Sequence, residues 1–69
     1  MPIIGERMKL VRKNKSFTQK QVAEAIGITY DTYQSYELGR VTPSVERLID
    51  FCKLFQVSSD YILGLEINK

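Results

Sequence analysis

Histidine and tryptophan are absent from the 69 residues, and cysteine occurs once, at Cys52. A lone cysteine cannot close an internal disulfide, and without histidine or a second thiol there is no soft-ligand metal site; no metal and no cofactor are expected. The missing histidine also removes the usual general base. Neither an activated nucleophile nor a phosphate-loop glycine pattern takes its place, so an enzyme is the weakest function class. No apolar run approaches the roughly 18 residues of a membrane span. The opening Met1-Pro2-Ile3-Ile4-Gly5-Glu6-Arg7 lacks the charge-then-apolar order of a signal peptide. A cytoplasmic protein with no membrane partner is expected.

What is present fits one small domain over residues 1–69, with 43% hydrophobic and 26% charged residues around one core. With disulfides and metals excluded, so small a core must rely on regular helix packing or self-association. The net charge of +2 points to no partner, although Arg7, Lys9, Arg12, Lys13, Lys15 and Lys20 follow one another with no acid between them. Such a run is more often a solvated face than a binding site.

Ile4, Met8 and Val11 recur at helical spacing and predict an amphipathic helix over about Ile3 to Asn14, after which Phe17 turns inward. Thr18 and Gln21 have capping-box spacing. Val22, Ala23 and Ile26 form an apolar stripe that stops at Gly27, a residue suited to a left-handed cap. Thr29 can cap a third helix with Tyr33 and Tyr36 inward and Gly39 at its end. Thr42-Pro43 predicts the start of a fourth, with proline at its first position and Val45, Leu48, Cys52 and Phe55 on one side with Phe51 nearby. Ser58 with Asp60 starts a fifth that carries Tyr61, Ile62 and Leu63 up to Gly64, and residues 65–69 read as a tail. No segment reads as a central strand, so the expected fold class is all-α, a compact bundle of five short helices.

Two short helices joined by a tight, glycine-containing turn meet the mechanical need of a helix-turn-helix, here over about residues 19–38. Val22 and Ile26 must be apolar to reach the core, and Ala23 must be small where the helices approach. Gly27 must accept positive φ, while Ile28, Tyr33 and Tyr36 anchor the second helix. Each of these demands is met between Gln19 and Leu38.

The chain carries Phe17-Thr18-Gln19, Val22-Ala23, Ile26-Gly27, Thr29, Tyr36-Glu37-Leu38-Gly39-Arg40, Pro43-Ser44, Val57-Ser58 and Asp60-Tyr61-Ile62-Leu63-Gly64. On these motifs it resembles the lambda-repressor-like, Xre/Cro family of helix-turn-helix regulators from about Ile4 to Gly64. The resemblance implies a domain that lays its second helix-turn-helix helix in the major groove of double-stranded DNA.

With Tyr33 and Tyr36 inward, Tyr30, Asp31, Gln34 and Ser35 fall on the opposite side of the third helix, at positions that the resemblance implies touch base edges. Gln34 can present an acceptor and a donor together to adenine, Asp31 can accept from cytosine N4, and Tyr30 can pack on a thymine methyl or bond a phosphate. Asp31 has an equally good purely structural role, because a negative charge suits a helix N-terminus. Gln19 and the amides that open the second helix make a phosphate clamp; simple polar capping is the plainer role. Lys20 and Arg40 flank the same surface in the family pattern and would neutralise phosphates, with Tyr30 joining them. Lys13 and Lys15 are weaker candidates that serve solubility equally well.

The resemblance also implies a partly buried ion pair between Arg12 and Glu37, with a donor of Arg12 left over for a phosphate. A tyrosine ladder for stacking single strands at Tyr30, Tyr33 and Tyr36 is less favoured than core packing of the last two. Cys52 reads as a small buried hydrophobe rather than a redox sensor. Ser16 and Gln56 depart from the pattern, standing where relatives have glycine at a helix end. Leu10 lies off the apolar stripe of the first helix. Leu54, Ile49, Tyr61 and Leu65 are candidates for a self-association surface. The function expected from all this is a sequence-specific transcriptional regulator, a repressor that binds a palindromic operator as a homodimer. The alternative is a protein-interaction module, such as an antitoxin or anti-repressor, built on the same fold.

Overall fold

The computed structural model describes residues 2–65, as five helices: α1 (Pro2–Asn14), α2 (Gln19–Ile26), α3 (Tyr30–Glu37), α4 (Val45–Phe55) and α5 (Ser59–Leu63). Most of the expected tail, residues 66–69, lies outside this range. No helix among the described residues is long and apolar enough to cross a membrane.

Local chemistry sets the helix ends. At α2 the Thr18 hydroxyl accepts from the Gln21 amide at 3.0 Å while the Gln21 side chain accepts from the Thr18 amide at 2.8 Å, a complete capping box. Gly27 closes the helix in the left-handed conformation, at φ 76°. Thr29 and Ser58 cap α3 and α5. Among the described residues, Ser16 and Gln56 are the two non-glycine positions with positive φ, 61° and 54°. The turns therefore keep the conformation expected where relatives carry glycine, and the side chains bear its steric cost.

Two expectations for α4 are corrected. The helix begins at Val45, not at Pro43, because Ser44 is the residue in extended conformation whose hydroxyl accepts the Arg47 amide, at 3.3 Å. Val45 is 72% exposed rather than inward. The inward stripe is carried by Phe51 and Phe55 with Leu48 beside them, and Val45 falls on the side that α4 shares with Ile49.

The core draws Ile4, Met8 and Val11 from α1, Val22, Ala23 and Ile26 from α2, Tyr33 and Tyr36 from α3, Phe51 and Phe55 from α4, and Ile62 from α5. An aromatic chain crosses it. Phe17 meets Phe55 edge-on at 5.0 Å, Phe55 meets Phe51 at 4.9 Å, and the Phe51 ring lies nearly parallel to Tyr33 at 6.4 Å. Through these rings α4 supports α3 from beneath. α1 packs against both α3 and α5, so the helix-turn-helix is held from two sides. Leu10 stays outside, as its place off the stripe requires.

Candidate nucleic-acid interface

The surface of interest begins where α3 is turned by its own buried tyrosines. Tyr33 is 0% exposed and Tyr36 is buried, so neither is available to stack on a nucleic-acid base. Helical spacing then sends Tyr30 and Asp31 to solvent, with Gln34 and Ser35 at half-buried positions beside them. The Ser35 hydroxyl donates to the Asp31 carbonyl at 2.9 Å, which commits its proton to the helix and leaves it as an acceptor. Asp31 stands in the first turn of α3, a place that satisfies its structural role as well as access to a ligand.

Beside this face lies the start of α2. Its first amides have no acceptor within the helix, and Thr18 takes only that of Gln21. Thr18, Gln19, Lys20 and Tyr30 line an open recess of about 460 Å³ at this point. Tyr30 of α3 and Lys20 of α2 thus share one recess with the positive end of a helix. Arg40 is exposed in the turn after α3, as are Lys13 in the last turn of α1 and Lys15 just after it.

The buried side of the interface is organised by the Glu37 carboxylate. Arg12 donates to it twice, Nε at 2.6 Å and Nη2 at 3.1 Å, in a bidentate pair whose side chains are only 10% and 3% exposed. The Tyr33 hydroxyl donates to Oε2, and the Gln19 amide donates to Oε1 at 2.9 Å. One carboxylate therefore joins α1, α2 and α3. Burial alone would raise the Glu37 carboxyl, but the bonds from Arg12, Tyr33 and Gln19 outweigh it and hold the group below the usual glutamate range. Burial, reinforced by the bond to Glu37, pushes the Tyr33 phenol far up, so it stays a donor. The bond to Glu37 raises the Arg12 guanidinium in turn.

Two of the residues expected at phosphates are also bonded within the protein. Arg12 is turned inward, with Nη1 donating to the Phe17 carbonyl at 2.9 Å, so each of its three nitrogens is bonded to the protein. Nη1 and Nη2 each keep a second N–H, while the bonds from Nε and Nη2 fix Glu37. Gln19 spends one amide hydrogen on Glu37 and keeps its second beside the helix-start amides. Sequence reasoning missed Arg47, whose guanidinium caps the Ile26 carbonyl at 3.1 Å while pairing with Asp50 at 2.8 Å. The pairing with Asp50 was visible as an i,i+3 spacing; the contact with the end of α2 was not.

Ile49 and Leu65 are exposed on the far side, whereas Leu54 and Tyr61 are half-buried against the core, and Arg7 lies over the Tyr61 ring at 4.2 Å. Next to Ile49 an apolar groove of about 420 Å³ runs between α4 and α5, lined by Val45, Leu48, Cys52 and Leu63 among others. Burial pushes the Cys52 thiol up, which suits a small hydrophobe and not a reactive thiolate.

Comparison with known proteins places this architecture. The sequence profile of the helix-turn-helix family matches residues 8–62. An uncharacterized HTH-type transcriptional regulator of Bacillus subtilis (strain 168), YqaE, is 39% identical over 67 residues, covering 97% of this chain and 58% of the relative. The cryptic phage CTXphi transcriptional repressor RstR of Vibrio cholerae is 36% identical over 61 residues, covering 88% of this chain and 54% of the relative. The chain thus spans little more than half the length of these relatives. The crystal structure of the clp gene regulator ClgR from Corynebacterium glutamicum superimposes with a TM-score of 0.85 at 25% identity, over 91% of this chain and 67% of that one. Arrangement, motif and relatives agree: the chain belongs to the Xre/Cro type of the helix-turn-helix family.

Proposed function

We propose that this chain is the DNA-binding unit of a transcriptional repressor, acting as a homodimer on a two-fold operator. The observation that carries the reading is the single surface on which exposed Asp31 and half-buried Gln34 stand beside a recess lined by Gln19, Lys20 and Tyr30. Gln34 and Asp31 would read base edges, with Tyr30 and Ser35 supporting them, and Lys20, Arg40 and the α2 amides would hold phosphates. That RstR is a repressor and ClgR a gene regulator supports the same assignment. The groove between α4 and α5, with Ile49 and Val45 at its edge, is the proposed dimer surface; it leaves both recognition helices free.

Selection of bound sites from a random duplex pool tests the proposal. The expected product is a palindrome with half-site centres about 10 base pairs apart. Affinity for that site should fall with salt at a log–log slope of about 0.9 per neutralised phosphate. Failure to enrich any sequence, with no salt slope, would overturn the reading in favour of a protein-interaction module.

A further inference from the structure

Gly5 lies inside α1, where helix propensity alone favours alanine. It is buried, and a Cβ built on it would lie 2.4 Å from the Tyr36 carbonyl oxygen and 2.7 Å from that of Glu37. Carbon and carbonyl oxygen ordinarily approach no closer than about 3.3 Å. Both obstructing atoms belong to the backbone and cannot swing aside as a side chain would. A methyl group here must therefore push the last turn of α3 away by up to about 1 Å, the gap between those contacts.

Arg12 grips the same end of α3 from further along α1, through Glu37. The two residues stand two helical turns apart, so at a rise of about 1.5 Å per residue the two holds are roughly 10 Å apart along α1. Opening one hold while the other stays closed tilts α3 rather than translating it. The tilt reaches Gln34 and Asp31, which lie on the same short rigid helix.

We infer that Gly5 is a positioning residue for the recognition helix, its missing side chain setting the angle at which the outer face of α3 stands to the start of α2. The inference rests on the DNA-binding proposal for its consequence, but not for its geometry. Base-edge hydrogen bonds tolerate only a few tenths of an ångström, whereas lysine–phosphate attraction tolerates more. Gly5→Ala should thus lower the ratio of operator to non-operator affinity by about tenfold, the value of one lost base contact, while leaving the salt slope unchanged.

The test uses a Ser16→Gly/Gln56→Gly background, whose relieved turns offset part of the cost of Gly5→Ala, with Ile62→Val on α5 as a control that costs stability away from α3. Backbone residual dipolar couplings, measured without DNA, should report a reoriented α3 in Gly5→Ala and an unchanged one in Ile62→Val. The affinity ratio should fall only in Gly5→Ala. Unchanged α3 couplings in Gly5→Ala would overturn the inference, and so would an equal loss of discrimination in the control. If the background chain itself showed no sequence preference, the DNA-binding proposal would fall, and the couplings alone would decide the role of Gly5.

Discussion

The two sides of this molecule are held by different physics. Where α1 meets α2 and α3, a carboxylate with 3% exposure receives bonds from Arg12, Gln19 and Tyr33, and every partner is directional. Where α4 meets α5, the contact is apolar, with an open groove and exposed Val45 and Ile49 at its edge. Hydrogen bonds to a carboxylate are directional and add to the angle that packing sets, whereas hydrophobic attraction has no direction of its own. The side with the directed bonds carries the face proposed for DNA, which needs a set orientation. The side left to apolar packing is the one proposed to meet a second copy.

Removing the centre of the directed side should have the largest effect. Glu37→Ala leaves the Arg12 guanidinium buried without its counter-charge, which costs about 3 to 5 kcal/mol. So small a domain has little stability in reserve, and urea melts should find the variant mostly unfolded. Acid should undo the same pair reversibly. The folded Glu37 carboxyl lies below its unfolded value of about 4.3, so its contribution is complete above that pH and is lost as pH falls through the folded value. Stability measured by circular dichroism should decline below about pH 4.3, and less steeply in a Glu37→Gln chain.

Tyr33→Phe removes one of the bonds while keeping the ring against Phe51, and should cost about 1.5 to 3 kcal/mol, the range for hydrogen bonds to charged groups. In the other direction, Gln56→Gly relieves a left-handed side chain and should raise stability by about 0.5 to 1 kcal/mol in the same melts. The smallest change in stability belongs to the apolar side. Ile49→Lys alters an exposed residue, so stability should move by no more than about 0.5 kcal/mol, yet sedimentation should show the dimer lost. A dimer that survives Ile49→Lys would remove the proposed division of labour between the two sides.

Much of the fold was legible because its signals are local. Thr18 with Gln21, Thr29, Ser58 and Gly27 act within a few residues of themselves, and they end helices where their spacing says. Ser44 displaced Pro43 as the start of α4 because a hydroxyl that reaches an amide outranks a ring that merely tolerates the position. In the candidate site, the outward turn of Tyr30 and Asp31 followed from the inward turn of Tyr33 and Tyr36, again a property of one helix. The pairing of Arg12 with Glu37 was legible through the family resemblance and is present. The Phe17 carbonyl that accepts from a further nitrogen of Arg12, and the bonds from Gln19 and Tyr33 to the same carboxylate, were not.

The sequence by itself determined which segments become helices, where they stop, and which faces are apolar, since each of these depends on neighbours within a turn or two. Tertiary structure alone decided that Gln19 and Tyr33 would join Arg12 on Glu37, that Arg47 would reach the end of α2, and that Gly5 would touch the carbonyls of Tyr36 and Glu37. Those contacts join residues distant along the chain, and their geometry exists only once the core has set the helices at their final angles.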